Sequence, residues 1–141
     1  MADVGWKGSR MDRNELKKRT KRFALDDMDL VEAFPKTMVG RAIGGQLIRC
    51  ATSVGANYRA ACRGRSNAEF IAKIGIVEEE ADEAVWWLDL AWEGGLQPER
   101  DILALPKEAD ELTAIFTATG RTAKRNSIRN KSAIRHPPSE I

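Results

Sequence analysis

The sequence predicts an all-α domain, an antiparallel up-down four-helix bundle, on three observations. Apolar residues recur at threes and fours over four successive stretches, which is the repeat of one buried helix face. Prolines, a glycine pair and cap residues separate those stretches at short intervals, so that consecutive helices have room only to turn back on one another. No segment alternates apolar and polar residues over strand length between turn residues, which leaves nothing from which to build a sheet. The 141 residues, 43% of them hydrophobic, suffice for one core and not for two.

The first helix is expected over about 13–34. Leu16, Phe23, Val31 and Phe34 carry its apolar line, with Met28 beside it, and Pro35 stops the run. Residues 1–12 are expected to be a flexible N-terminus. The second helix covers about 38–63, with Ile43, Leu47, Ala51, Val54, Tyr58 and Ala61 on its core side and Gly64 after it. "SNAE" from Ser66 to Glu69 then has the spacing of a capping box, so the third helix begins near 67. Its core series is Phe70, Ile74, Val77, Ala81, Val85, Leu88 and Trp92, and Gly94 with Gly95 ends it near 93. Pro98 suits a short helical turn and Pro106 the first position of a longer helix running to about 124, with Glu108, Asp110 and Glu111 at its positive end. One continuous helix kinked at Pro106 is the alternative. The bundle then occupies 13–125, and "NSIRNKSAIRHPPSEI", 126–141, reads as a disordered basic tail.

Several function classes lose their chemistry here. No run approaches the roughly 18–20 apolar residues of a membrane span, and "MADVGWKGSR" lacks a signal peptide's apolar centre; a cytoplasmic location with no membrane partner is expected. Cys50 and Cys62 stand twelve apart on one helix, too far along its axis to bridge, and read as small buried hydrophobes. His136 is the only histidine and lies in the tail. A di-metal site within the "EEEADE" stretch would need Glu-x-x-His pairs that do not exist, so neither a metal, a cofactor nor an enzymatic activity is expected.

Charge is distributed in blocks. Lys and Arg stand against Asp and Glu at 14 to 7 in residues 1–65, 3 to 13 in 66–111 and 6 to 1 in 112–141, giving +7, −10 and +5. The third helix is acidic between basic neighbours, which favours attraction between adjacent helices and a two-signed surface. At 100° per residue, Gln46, Ser53 and Asn57 form a row on the flank of the second helix, with Arg49 just outside it, while Arg41, Arg59 and Arg63 face away from the core. On the third helix Ile76, Glu80 and Trp87 make a second stripe beside the core series, with Glu83 at its edge and Trp86 further round. Amides buried without partners cost about 1–3 kcal/mol each. Gln46, Arg49, Ser53 and Asn57 are therefore expected to meet Glu80, Glu83 or backbone groups at a packed seam, within one subunit or between two.

The stretch from Phe34 to Leu90 closely resembles the four helix bundle protein family, also called the S23 or 23S rRNA-intervening sequence protein family. The resemblance is carried by Pro35, Gln46 with Leu47, Thr52 with Ser53, Ala56 with Asn57, Arg65 with Ser66, Phe70, the acidic run Glu78 to Glu83, and Trp87 with Leu88. It extends more loosely over about 13–125, and departs at Cys50, where Ser is common, and at Gly64. The resemblance implies genes found within intervening sequences of bacterial 23S rRNA genes, which is a genomic location and not an activity. The family is similar to accessory proteins of diversity-generating retroelements, which form ring-shaped pentamers with a basic surface and associate with a reverse transcriptase and RNA. That likeness implies a homo-oligomer, with a pentamer as its expected size, and a reverse transcriptase among its partners.

Two functional readings follow. In one, the chain is a nucleic-acid-binding module in which Arg41, Arg59, Arg63 and Arg65, supported by Lys17, Lys18, Arg19, Lys21, Arg22 and the tail's Arg125, Arg129, Lys131 and Arg135, contact RNA or DNA phosphates. In the other, it is a protein–protein scaffold whose polar seam, including Trp87, builds an oligomer and whose client is another protein.

Overall fold

Each of the first three helices in the computed structural model starts on a side chain that holds its own first turn; the structure describes residues 12–96 and 104–135. Asp12 caps α1 (Arg13–Glu32), its carboxylate accepting the Glu15 N–H at 2.8 Å. Thr37 caps α2 (Met38–Cys62) by accepting from Gly40 N–H at 3.1 Å, and Ser66 caps α3 (Asn67–Glu93) by accepting from Glu69 N–H at 3.1 Å. The Glu69 carboxylate reaches back one residue further than a standard capping box requires, taking the Arg65 N–H at 2.6 Å. At the far end of α3, Gly95 adopts φ +69° and lets Leu96 N–H reach the Ala91 carbonyl at 2.9 Å, a glycine-closed terminus.

α4 (Ala104–Arg135) corrects two expectations. Pro106 falls inside its first described turn, and Pro98 lies outside the described residues. The stretch read as a disordered basic tail is helical as far as Arg135. Hydrogen bonds within a helix need no burial, and neither Gly nor Pro interrupts the chain between Gly120 and Pro137. The expectations for 1–11 and 136–141 lie outside the described residues.

The four helices form an all-α bundle. Each packs on the next, and α1 returns to α4 along a thinner fourth side. The core is built from Leu16 and Phe23 of α1, Leu47, Val54 and Tyr58 of α2, Ile74, Val77 and Leu88 of α3, and Leu112 and Phe116 of α4. Tyr58 and Phe116 meet across it with ring centroids 5.3 Å apart. Two small residues set the α1–α2 spacing. A Cβ on Gly44 would stand 2.7 Å from Val31 Cγ1, and one on Gly55 would stand 3.3 Å from Thr20 Oγ1, so larger side chains would force the helices apart. Two positions assigned to the apolar lines sit elsewhere: Met28 is 43% and Trp92 50% exposed. Thr20, Asp27, Ala84 and Ala91 are buried instead.

Candidate functional site

The flank of α2 that faces α3 carries a polar seam centred on Arg49. Its Nη1 donates to Glu80 Oε2 at 3.0 Å, and its Nη2 pairs with Glu83 Oε2. The same Glu83 oxygen accepts the Trp87 indole N–H at 3.0 Å. That indole bond first, and Arg49 after it, hold the Glu83 carboxyl below the usual carboxylate range. Gln46 Oε1 receives a long 3.5 Å bond from Arg49 Nε. Ser53 and Asn57 turn to their own helix: Ser53 Oγ donates to the Arg49 carbonyl at 2.7 Å and Asn57 Nδ2 to the Ser53 carbonyl at 3.0 Å. Gln46, Arg49, Glu80, Glu83 and Trp87 are thus brought together within one subunit, while Ser53 and Asn57 stand beside them without crossing to α3. Next to this seam, α3 presents Ile76, Trp86 and Leu90 to solvent.

The basic residues divide by what they touch. Arg19 is drawn onto α4, where it pairs with Glu108 and Glu111, and Arg22 pairs with Asp26 along its own helix at 3.4 Å. Lys17, Lys18 and Lys21 of α1 and Arg59 of α2 instead rim a groove of about 460 Å³ between the two helices. Among the described residues none of these four is paired with a carboxylate. The groove floor is small and nearly saturated in hydrogen bonds: Gly55, Ala24 and Ala56 lie with Thr20 and Thr52. Thr20 Oγ1 donates to the Leu16 carbonyl at 2.9 Å and Thr52 Oγ1 to the Ile48 carbonyl at 2.7 Å. The groove therefore offers charge at its edges and no reading groups at its base, an arrangement suited to a phosphate chain.

Of the four arginines singled out by sequence, only Arg59 lines this groove. Arg63 follows one turn later at the C-cap of α2, exposed. Arg65 lies in the α2–α3 turn and lines a separate cavity. Arg41 is eighteen residues from Arg59, about 27 Å along the axis, and is likewise exposed.

The residue that the sequence reading passed over is Asp27. It is fully buried, and neither carboxylate oxygen has a hydrogen-bond partner among the described residues. Burial first and Asp26 second push its pKa up to about 8, so the acid is neutral below that pH. The thiol of Cys50, also fully buried, is pushed up to about 12, chiefly by burial and with Asp27 among the charges it feels. The signal for Asp27 was spacing: Leu16, Thr20, Phe23, Asp27, Leu30 and Phe34 repeat at fours and threes whatever their chemistry.

Among the described residues no cluster of His, Cys, Asp and Glu could hold a metal ion, and no helix is long and apolar enough to cross a membrane. No curated protein matches the chain. A solved structure shares the fold: a protein of unknown function from the S23 ribosomal protein family of Bacteroides thetaiotaomicron VPI-5482. It superposes with a TM-score of 0.71 at 25% identity, covering 79% of this chain and 99% of that one. The family model of the 23S rRNA-intervening sequence protein matches residues 12–118, from the α1 cap to the middle of α4, and the chain belongs to that family.

Proposed function

We propose that this protein is a non-enzymatic nucleic-acid-binding bundle that works as a homo-oligomer in the cytoplasm and holds the phosphate backbone in the α1–α2 groove. The observation that carries this reading is the contrast between tied and untied cations. Arg19, Arg22 and Arg49 are engaged by carboxylates, whereas Lys17, Lys18, Lys21 and Arg59 converge on one groove without such partners among the described residues. Four such cations per subunit give a modest affinity, which a multi-subunit assembly multiplies. The test is RNA binding by fluorescence anisotropy across a salt series. The wild type should lose affinity with a log–log slope of about −3, the value for some four phosphate contacts on a single strand. The Lys17→Ala/Lys21→Ala/Arg59→Ala variant should bind at least tenfold more weakly with a flatter slope. Binding indifferent to salt would remove the reading.

A second reading is a protein–protein scaffold, favoured by the exposed Ile76, Trp86 and Leu90 beside the Arg49 seam. In it, this α3 face joins copies of the chain and the client is a protein. Light scattering checks it: Trp86→Glu should lower the solution mass, and a wild type that is monomeric at all concentrations would exclude both the ring and the scaffold built on it.

A further inference from the structure

A second cavity, of about 430 Å³, opens at the end of the bundle where α1 begins, α2 ends and α3 begins, with the later part of α4 as its wall. It shares no residue with the α1–α2 groove. Tyr58 lies behind its inner wall, only 2% exposed, so the half-buried Phe70 is the aromatic ring within reach of a ligand. The Arg13 guanidinium lies over Phe70, 5.1 Å from the ring centroid, and Arg65 stands on the rim with the amides of Asn67 and Asn126. Among the described residues no carboxylate lines the cavity, although the Asp12 carboxylate that caps α1 lies close enough to act on Tyr58. The nearest acid in the turn, Glu69, is directed at the Arg65 backbone N–H, and the Ser66 hydroxyl accepts the Glu69 N–H. The Glu69 N–H at the start of α3 is thus taken by its own cap, and the site stands on its side chains.

The lining selects a ligand class. Two guanidinium groups in a lining that holds no carboxylate among the described residues favour a phosphate, which they bind through forked donors. A bare phosphate would leave the flat Arg13–Phe70 stack unused, and a purely apolar molecule would bury two charges without partners. A flat ring joined to a phosphate satisfies both halves: the ring stacks on the Arg13 guanidinium where it covers Phe70, amides meet its polar edge, and the phosphate sits on Arg65 at the rim. The volume falls within the roughly 300–1,000 Å³ range of small-ligand sites. We infer that this end cavity binds a single nucleotide unit, free or at the 5′ end of a strand, with its phosphate on Arg65 and its base stacked on the Arg13 guanidinium that lies over Phe70. This goes beyond the groove reading and does not rest on it.

The test uses the full chain, labelled for NMR, titrated with adenosine 5′-monophosphate and, separately, inorganic phosphate. The nucleotide should shift amides of Arg65–Phe70 and Thr119–Asn126 and bind at least tenfold more tightly than phosphate. The Arg13→Gln/Arg65→Gln variant, its fold checked by thermal melting, should lose tenfold or more of that affinity. The Lys17→Ala/Lys21→Ala/Arg59→Ala variant should keep it, which separates this site from the groove. A ten-nucleotide RNA bound more tightly with a 5′-phosphate than without one, the difference vanishing in the Arg13/Arg65 variant, identifies a strand end as the occupant; equal binding of the two RNAs alongside tight nucleotide binding identifies the free nucleotide. A nucleotide bound no more tightly than phosphate, or indifferent to the Arg13/Arg65 change, overturns the inference even if RNA binding in the groove is intact.

Discussion

Arg19 of α1 grips Glu108 of α4 through two parallel hydrogen bonds, Nε to Oε2 at 2.7 Å and Nη2 to Oε1 at 2.6 Å. The pair clamps the side of the bundle where the two helices share least packing. With side chains only 24% and 26% exposed, and the Arg19 pKa raised first by its bond to Glu108, this bridge exceeds an ordinary surface pair. Arg19→Ala should cost about 1–2 kcal/mol in chemical denaturation. A loss below about 0.3 kcal/mol would show that apolar contact alone closes that side.

Asp27 makes stability depend on pH in an uncommon direction. Its ordinary value is 3.8 and its folded value about 8, so between those limits the folded chain holds a proton that the unfolded chain has released. Its contribution is therefore complete below about pH 4 and falls as pH rises, by about 1.4 kcal/mol per unit, until it levels off above about 8. Asp26 on the same helix opposes the charged form, and the neighbouring Cys50 thiol, itself neutral at these pH values, supplies no compensating cation. Asp27→Asn should remove this slope and raise the melting temperature most at pH 8. A variant that tracks the wild type from pH 5 to 8 would mean that Asp27 finds a partner in solution.

Adjacent glycines on α2 should respond oppositely to the same change. A Cβ on Gly44 would meet Val31 Cγ1 at 2.7 Å, whereas one on Gly45 meets nothing within 4 Å. Gly45→Ala should stabilise the fold by about 0.5–1 kcal/mol through helix propensity. Gly44→Ala should destabilise it by about 1–3 kcal/mol through overpacking against α1. Denaturant midpoints for the two variants check both signs.

The boundaries of α2 and α3 are legible because their signals are local: Pro35, Gly64, Ser66, Gly94 and Gly95 act within a turn or so of themselves. What was not legible required either a partner or a change of criterion. Arg19 is indistinguishable from Lys18 in the sequence; only the approach of α4 removes it from the free cations. Ser53 and Asn57 could have crossed to α3 or bonded to their own helix, and spacing alone did not decide between them. Asp27 is hard to find by chemistry, since a carboxylate ordinarily faces water, although its place in the repeat marks it as core. The last turns of α4 are not legible from composition because a polar, basic run resembles a disordered one, whereas an exposed run without Gly or Pro can hold its own backbone bonds.

α4 has 32 residues against the 20 of α1, and past Asn126, the last residue to touch the end cavity, it continues with Ile128 and Ile134 open to solvent. A slack tail would let an attached cargo tumble freely. A rod transmits direction, so anything fastened to these final turns, a second subunit or a client, is presented at a set bearing and stand-off from the cavity mouth.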